Sequence, residues 1–305
     1  MTAGNIVLFP GQGAQYVGMA KVLVEQFANA RNLFDRAREF LGFDLLDICI
    51  NGPVERLNAT DISQPAIFVS SLAALESLRL LNPDAVEEAK ATAGLSLGEY
   101  TALAFAGVFN FEDGLSLVKT RGEAMQAAAT ATPSAMASVL LLDRERLESI
   151  CQSVRSSRGI VSIANYLCPG NLVVSGVREA VFAVEESAQA AGAKTVRLAV
   201  AGAFHTPIMQ PAVEKLTRKM ASIKFMPARI PVWSNVTGKS HEADPDAIAA
   251  LLARQVVEPV LWEDSIQGML GTFADHRFYE VGPGKVLSGL MKRIQRKAEC
   301  VSIPA

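Results

Sequence analysis

The chain alternates short, continuous apolar runs with longer segments in which apolar residues recur every three or four positions, the signatures of buried strands and amphipathic helices. "NIVLFPGQG" reads as a strand over Asn5 to Phe9 stopped by Pro10 and Gly11, and Met19 to Phe27 follows with helical spacing. "DISQPAIFVSSLAALESLRLL" predicts a long, largely buried helix through Leu81, with Ser63 as its cap and Pro65 in its first turn. "DAVEEAKATAG" has no clear period, whereas "FEDGLSLVKTRGEAMQAAA" predicts a helix with acids in its first turn. Strands, loops and helices that alternate in this way make an α/β domain.

From Met136 the order changes to "MASVLLL" (strand), "DRERLESICQSVRS" (helix), "GIVSIANYL" and "NLVVSGV" (strands), "REAVFAVEESAQAAGA" (helix) and "KTVRLAV" (strand). This β-α-β-β-α-β order is ferredoxin-like. It predicts a small subdomain over residues 133–198, inserted into a large α/β subdomain made of residues 1–132 and 199–305. The α/β pattern resumes with "AGAFHTPIMQPAVEKLTRKMASI", "IPVWSNVTG", "DPDAIAALLARQVVEPVLWEDSIQGMLG" and "RFYEVGPGKVLSGLMKRI".

With 305 residues, half of them hydrophobic, the chain is long enough to bury a sizeable core. Its 29 Lys and Arg against 31 Asp and Glu give no reason to expect nucleic acid or an anionic membrane as partner. The four cysteines, Cys49, Cys151, Cys168 and Cys300, lack CxxC spacing, which argues against a metal site and a disulfide framework and suits the reducing cytoplasm. The opening "MTAGNIVLFPGQG" has no basic region ahead of a long apolar run, and no apolar stretch approaches the ~18 residues that span a bilayer. A cytoplasmic, unprocessed protein is expected.

Candidate chemistry starts at Ser96, a lone hydroxyl in "AGLSLGEYTALAF" with Gly94 and Gly98 two residues to either side. Glycines there leave room for a sharp strand-to-helix turn that lifts the hydroxyl out of a sheet, the G-x-S-x-G nucleophile elbow of which the α/β-hydrolases are the standard example. Gly and Ser also recur together in loops and close-packed helices, so the pattern alone leaves both readings open. A helix beginning near Leu97 would place free N–H groups and its dipole beside an oxyanion. A base is needed, and there are three histidines. His241, in "TGKSHEADPD", and His276, in "ADHRFYE", read as surface residues. His205 follows a strand and precedes a helix that Thr206 can cap and Pro207 can begin, at a sheet edge where loops build sites. No Asp or Glu stands out as its orienting acid; if the second ring nitrogen is held, a backbone carbonyl could do it.

Arg121 follows Leu117 by four residues and precedes Met125 by four, which sets a charge on an apolar stripe. It either snorkels to solvent or, if buried, calls for a carboxylate that its planar fork can hold bidentately. "GQGAQYVG" is not a dinucleotide loop, because Tyr16 stands where the third glycine of GxGxxG belongs. Its glycines suit a turn that presents a backbone amide.

Together "LFPGQGAQYVGM", "GLSLGEYTAL", "VKTRGEAMQ", "GAFHTPIM", "VWSNVTG" and "FYEVGPGKVLSGL" resemble the malonyl-CoA:acyl carrier protein transacylases, in order and over nearly the whole chain. The resemblance implies an α/β-hydrolase-like large subdomain with a ferredoxin-like insert. It implies Ser96 as nucleophile, His205 as base, the backbone N–H groups of Gln12 and Leu97 as oxyanion hole, the backbone carbonyl of Gln255 as the histidine's support, and Arg121 as the grip on the malonyl carboxylate. Asn165, in "IANYLCPGN", matches a position close to the site. The implied reaction is ping-pong, from malonyl-CoA to Ser96 and on to the phosphopantetheine thiol of an acyl carrier protein, with the coenzyme A thioester as substrate and no cofactor.

Two departures carry information. Leu95 stands where the family usually has histidine, which is similar to stand-alone acyltransferases of polyketide assembly and leaves polyketide and fatty acid synthesis both open. Phe204 in "GAFH" resembles the HAFH signature of malonyl-selective acyltransferases, with Gly202 replacing its first residue. Lys194 and Arg197 are candidates for the coenzyme A phosphates. An acyl hydrolase of the same fold and a non-catalytic carrier-protein docking module are the alternatives; Arg121 argues against the first, and Ser96, His205 and Arg121 together argue against the second.

Overall fold

The computed structural model describes residues 4–200, 202–273 and 276–305. Strands β1 (Gly4–Phe9), β2 (Ala89–Gly94), β7 (Val232–Trp233), β9 (His276–Val281) and β10 (Cys300–Ile303) form a wholly parallel sheet in the order β10-β9-β1-β2-β7. A parallel sheet is buried on both faces, and β1 shows it with the two-residue alternation of a strand. Val7 and Phe9 pack into the layer formed by helices Thr60–Leu81, Leu97–Phe105 and Phe111–Ala131. Ile6 and Leu8 face helices Trp262–Thr272 and Val286–Ile294 through Trp262, Ile266, Leu287 and Met291. The stretch without a period resolves into a short helix, Pro83–Glu87, and then β2. Strand β2 lies between β1 and β7 and, apart from the exposed Lys90, is built of alanine, threonine and glycine, whose weak hydrophobicity gives a period little contrast.

The insert carries β3 (Ser134–Leu140), β4 (Val161–Cys168), β5 (Asn171–Val177) and β6 (Lys194–Arg197), antiparallel in the order β6-β3-β5-β4. Helices Arg144–Arg158 and Arg178–Ala190 cover one face with a core of their own, including Leu147, Cys151, Val181 and Val184 against Val139, Ile163 and Val174. The ferredoxin-like order expected from the sequence is therefore present. Its sheet is larger than residues 133–198 alone provide, since β8 (Val260–Leu261) returns to pair in parallel with β4. The other face turns Met136, Ala164 and Val173 toward the large core.

Two local expectations are corrected. The long helix starts at Thr60 rather than at Ser63, because the Thr60 N–H finds the Gln126 side-chain oxygen at 3.1 Å, a tertiary cap no local pattern reveals. Ser63 is buried inside the helix and Pro65 lies in its second turn. Thr206 does not cap either: its hydroxyl donates to the Ala203 carbonyl at 2.7 Å, and a short 3-10 turn, Pro207–Met209, leads into helix Gln210–Met220.

Candidate active site

Strand β2 ends at Gly94 and the next helix opens at Leu97, which leaves Ser96 on the turn with φ 51° and ψ −100°. That backbone region is disfavoured for L-residues and costs on the order of 1–3 kcal/mol, so its surroundings must over-determine it. They do so through Asn235: the Ser96 N–H donates to its side-chain oxygen at 2.6 Å, while its amide nitrogen donates to the Gly94 carbonyl at 2.8 Å. A Cβ on Gly94 would stand 1.8 Å from the Gly98 carbonyl carbon, and one on Gly98 would stand 2.1 Å from the Phe9 carbonyl oxygen. The flanking glycines are thus required by close approach of backbone to backbone.

His205, itself at φ 60°, sets Nε2 2.9 Å from the Ser96 Oγ and Nδ1 2.7 Å from the Gln255 carbonyl oxygen. A carbonyl only accepts, so Nδ1 carries the proton and the Nε2 lone pair faces the hydroxyl. The loop is fastened on either side, by the Ser175 hydroxyl donating to the Phe204 carbonyl at 2.9 Å and by the Thr206 bond already described. Burial, reinforced by the nearby Arg121 charge, pushes the His205 imidazole down to about 4, so it rests neutral and able to accept a proton.

Arg121 is 2% exposed, so the buried alternative holds. Its Nη1 donates to Gln64 Oε1 at 2.9 Å, and its Nη2 donates to Ser96 Oγ and Gln255 Oε1, each at 2.9 Å. The guanidinium carbon lies 5.3 Å from the centre of the Tyr100 ring. All of these partners are neutral, and among the described residues no carboxylate pairs directly with this cation. Its Nε–H is buried with no partner, and burial lowers the affinity of the group for its proton.

The sequence pointed to no acid, yet Glu99 is fully buried beside the site. It does not touch His205. Its Oε2 accepts from the Gln255 side-chain amide at 2.7 Å and from the Asn235 N–H at 3.1 Å, and its Oε1 lies 2.7 Å from His241 Nε2. His241 is thus corrected from a surface residue to one whose side chain is 1% exposed. His276, the other expected surface histidine, is half-buried against Phe278 with Nδ1 2.8 Å from the Phe273 carbonyl. The signal for Glu99 was a carboxylate among "LSLGEYTALAF", an otherwise apolar helix. Gln64, Asn235 and His241 gave none, being polar residues whose partners lie far along the chain.

Ser96, His205, Arg121, Gln12, Asn165 and Phe204 line one cavity of about 240 Å³ between the two sheets, with Leu95, Met125 and Leu198 among its apolar walls. Leu97 opens its helix, so its N–H has no intrahelical acceptor. Among the described residues neither that N–H nor the Gln12 N–H donates to a protein acceptor. Gln255 reaches the site by its carbonyl and also by its side chain, whose nitrogen donates to the Ser96 carbonyl at 2.9 Å. Lys194 and Arg197 stand on β6 outside the cavity lining, Arg197 paired with Glu185 at 2.9 Å and stacked over Phe182.

The chain is similar to known proteins over nearly its whole length. Residues 6–303 match the acyl transferase domain. The chain is 39% identical to the malonyl CoA-acyl carrier protein transacylase of Bacillus subtilis, over 97% of this chain and 92% of that one. It is 40% identical to the mitochondrial transacylase of Mus musculus, over 96% of this chain and 80% of that one. The chain belongs to the malonyl-CoA:acyl carrier protein transacylase family. Among solved family members, the acyl-carrier-protein S-malonyltransferase of Bartonella henselae superposes with a TM-score of 0.94 at 36% identity, covering 99% of this chain and 96% of that one. A malonyl-transacylase solved with a type II PKS acyl-carrier protein gives 0.93 at 35% identity, covering 98% and 96%. The two-sheet α/β architecture is therefore that of the transacylases, and no helix among the described residues is long and apolar enough to cross a membrane.

Proposed function

We infer that the protein transfers a malonyl group from malonyl-CoA to the phosphopantetheine thiol of an acyl carrier protein through a malonyl ester on Ser96. The observation that carries this reading is Arg121, a buried cation that donates to the nucleophile and, among the described residues, pairs with no carboxylate. Leaving such a charge unpaired is costly, and an acyl group ending in a carboxylate supplies the missing partner. In the first half-reaction Ser96 Oγ attacks the thioester carbonyl while His205 Nε2 takes its proton. The Gln12 and Leu97 N–H groups receive the oxyanion, and the departing coenzyme A thiolate takes the proton back from His205. In the second half-reaction His205 deprotonates the carrier's thiol, which attacks the ester and restores Ser96. The Gln255 carbonyl holds the imidazole tautomer throughout. Asn165 and Phe204 shape the acyl and pantetheine space, and the thioester chemistry needs no cofactor.

Residues 1–132 and 199–305 act as the catalytic subdomain, with 133–198 closing the cavity from the other side. The product serves fatty acid or polyketide synthesis. The four unpaired cysteines suit a reducing compartment, and we assign the cytoplasm. Intact mass spectrometry after separate incubation with malonyl-CoA and acetyl-CoA tests the reading: a stable malonyl adduct that Ser96→Ala abolishes is expected. Hydrolysis of malonyl-CoA without an adduct, or equal loading by both thioesters, would refute it.

A further inference from the structure

The mechanism above leaves a buried carboxylate and a buried imidazole without a role. Glu99 stands on the helix that follows the nucleophile, and His241 belongs to a loop fastened to β7, where the His241 N–H donates to the Val232 carbonyl at 2.7 Å. Their side chains meet at 2.7 Å, and neither lines the cavity, so they cannot touch an acyl group there. Between them and Arg121 lies the Gln255 amide. A primary amide has two faces, an acceptor and a donor, and only one orientation of it satisfies this site. Gln255 Nε2 donates to Glu99 Oε2 at 2.7 Å and to the Ser96 carbonyl at 2.9 Å. Oε1 is thereby turned toward Arg121, which has donors only.

We propose that the Glu99–His241 pair is a positioning device that fixes the Gln255 amide so that its oxygen holds Arg121 in place for a carboxylate-bearing acyl group. The proposal rests on the reading of Arg121 given above. Its physical content is the location of the counter-charge. Were Glu99 in direct contact with the guanidinium, it would occupy the fork that the substrate carboxylate needs. One amide away, it steadies the cation and leaves the Nε–H free. His241 keeps the carboxylate from rotating, because it holds one oxygen while Gln255 and Asn235 hold the other. Without Glu99, the Gln255 amide loses its strongest acceptor and can turn its NH2 toward the guanidinium, displacing Arg121.

The test compares Glu99→Leu, Glu99→Gln and His241→Leu, with kcat and KM for loading by malonyl-CoA and by acetyl-CoA, and with crystal structures of each. In Glu99→Leu the KM for malonyl-CoA should rise at least tenfold and the malonyl-to-acetyl ratio of kcat/KM should fall at least tenfold. Gln255 Oε1 should then be released from Arg121. Glu99→Gln still offers an oxygen to Gln255 and Asn235, and should return the ratio to within threefold of the parent. His241→Leu should shift it in the direction of Glu99→Leu by a smaller factor. An unchanged ratio in folded Glu99→Leu, or equal loss for both thioesters with Gln255 still on Arg121, overturns the proposal. If Glu99→Leu does not fold, the ratio in His241→Leu decides, and no change there overturns it. Should the parent protein show no preference for malonyl-CoA, the reading of Arg121 fails. The Gln255–Arg121 separation in crystals of the parent and the variants then decides the positioning claim by itself.

Discussion

Replacing Arg121 by alanine separates the two halves of the argument, the charge and the scaffold. On the proposed reading the guanidinium of the loaded site pairs with the malonyl carboxylate out of solvent, and truncating one partner of a buried, hydrogen-bonded charge pair costs about 2–5 kcal/mol. At about 1.4 kcal/mol per factor of ten, kcat/KM for malonyl-CoA should fall by roughly 30-fold to a few thousand-fold. The acetyl group brings no charge, so its loss is limited to the hydrogen bonds Arg121 makes now to neutral acceptors. Those are one hydrogen bond to Ser96 Oγ and one each to Gln64 and Gln255, whose oxygens the vacated space lets water satisfy. A hydrogen bond from a charged donor contributes about 1.5–3 kcal/mol net, so losing the one to the reacting Ser96 Oγ should slow acetyl loading by roughly 10- to 150-fold, a loss that malonyl loading shares in addition to that of its carboxylate pair. The malonyl-to-acetyl ratio should therefore collapse or invert. Loading is followed by intact mass in rapid-quench samples across a range of each thioester, with thermal unfolding as control. Equal slowing of both acyl groups in a folded Arg121→Ala protein would refute the reasoning and make Arg121 a structural cation.

Ser96→Ala should remove covalent loading altogether, while His205→Ala should slow it by about 10²- to 10⁴-fold without unfolding the protein. The double variant should be no slower than Ser96→Ala, since the two act as a unit; persistent adduct in Ser96→Ala, located by peptide mapping, would name another nucleophile. For pH, the neutral imidazole is the active form and titrates at about 4, so kcat/KM for loading should stay level from pH 8 to about 5 and fall below that. The same depression makes the unfolded chain, with its ordinary value near 6.5, the better proton binder between about pH 6.5 and 4. The stability that a neutral His205 contributes is thus complete above about 6.5 and lost as pH falls toward 4, by about 2 kcal/mol between pH 7 and 5. His205→Gln should lack that component in urea titrations at the two pH values. Phe204, 5% exposed on the cavity wall beside His205, should exclude an α-methyl branch by about 1–3 kcal/mol, as pockets discriminate one methyl group. Phe204→Ser should narrow the kcat/KM ratio of malonyl-CoA to methylmalonyl-CoA, and an unchanged ratio in a folded variant would assign Phe204 to packing alone.

What the sequence by itself determined lies where one short stretch contains both cause and consequence. The elbow was legible because the glycines that permit it stand two residues from the serine, and the insert because each of its strands and helices carries its own period. The charge of Arg121 on an apolar stripe singled out a cation that would either snorkel or be buried, and the ordered motifs pointed to the family. What only the tertiary structure decided are contacts between residues far apart in the chain. Gln126 caps a helix that begins 66 residues earlier, β8 completes a sheet whose other strands end at Arg197, and Asn235 fastens a turn 139 residues away. Glu99 and His241 are the sharpest case, 142 positions apart and buried together. Periodicity reports only whether a side chain faces the core or the solvent, and a polar residue that faces the core leaves no trace of its partner. Such a residue is stable there only because another polar group completes its hydrogen bonds, and which one does so is fixed by how the sheets and helices pack.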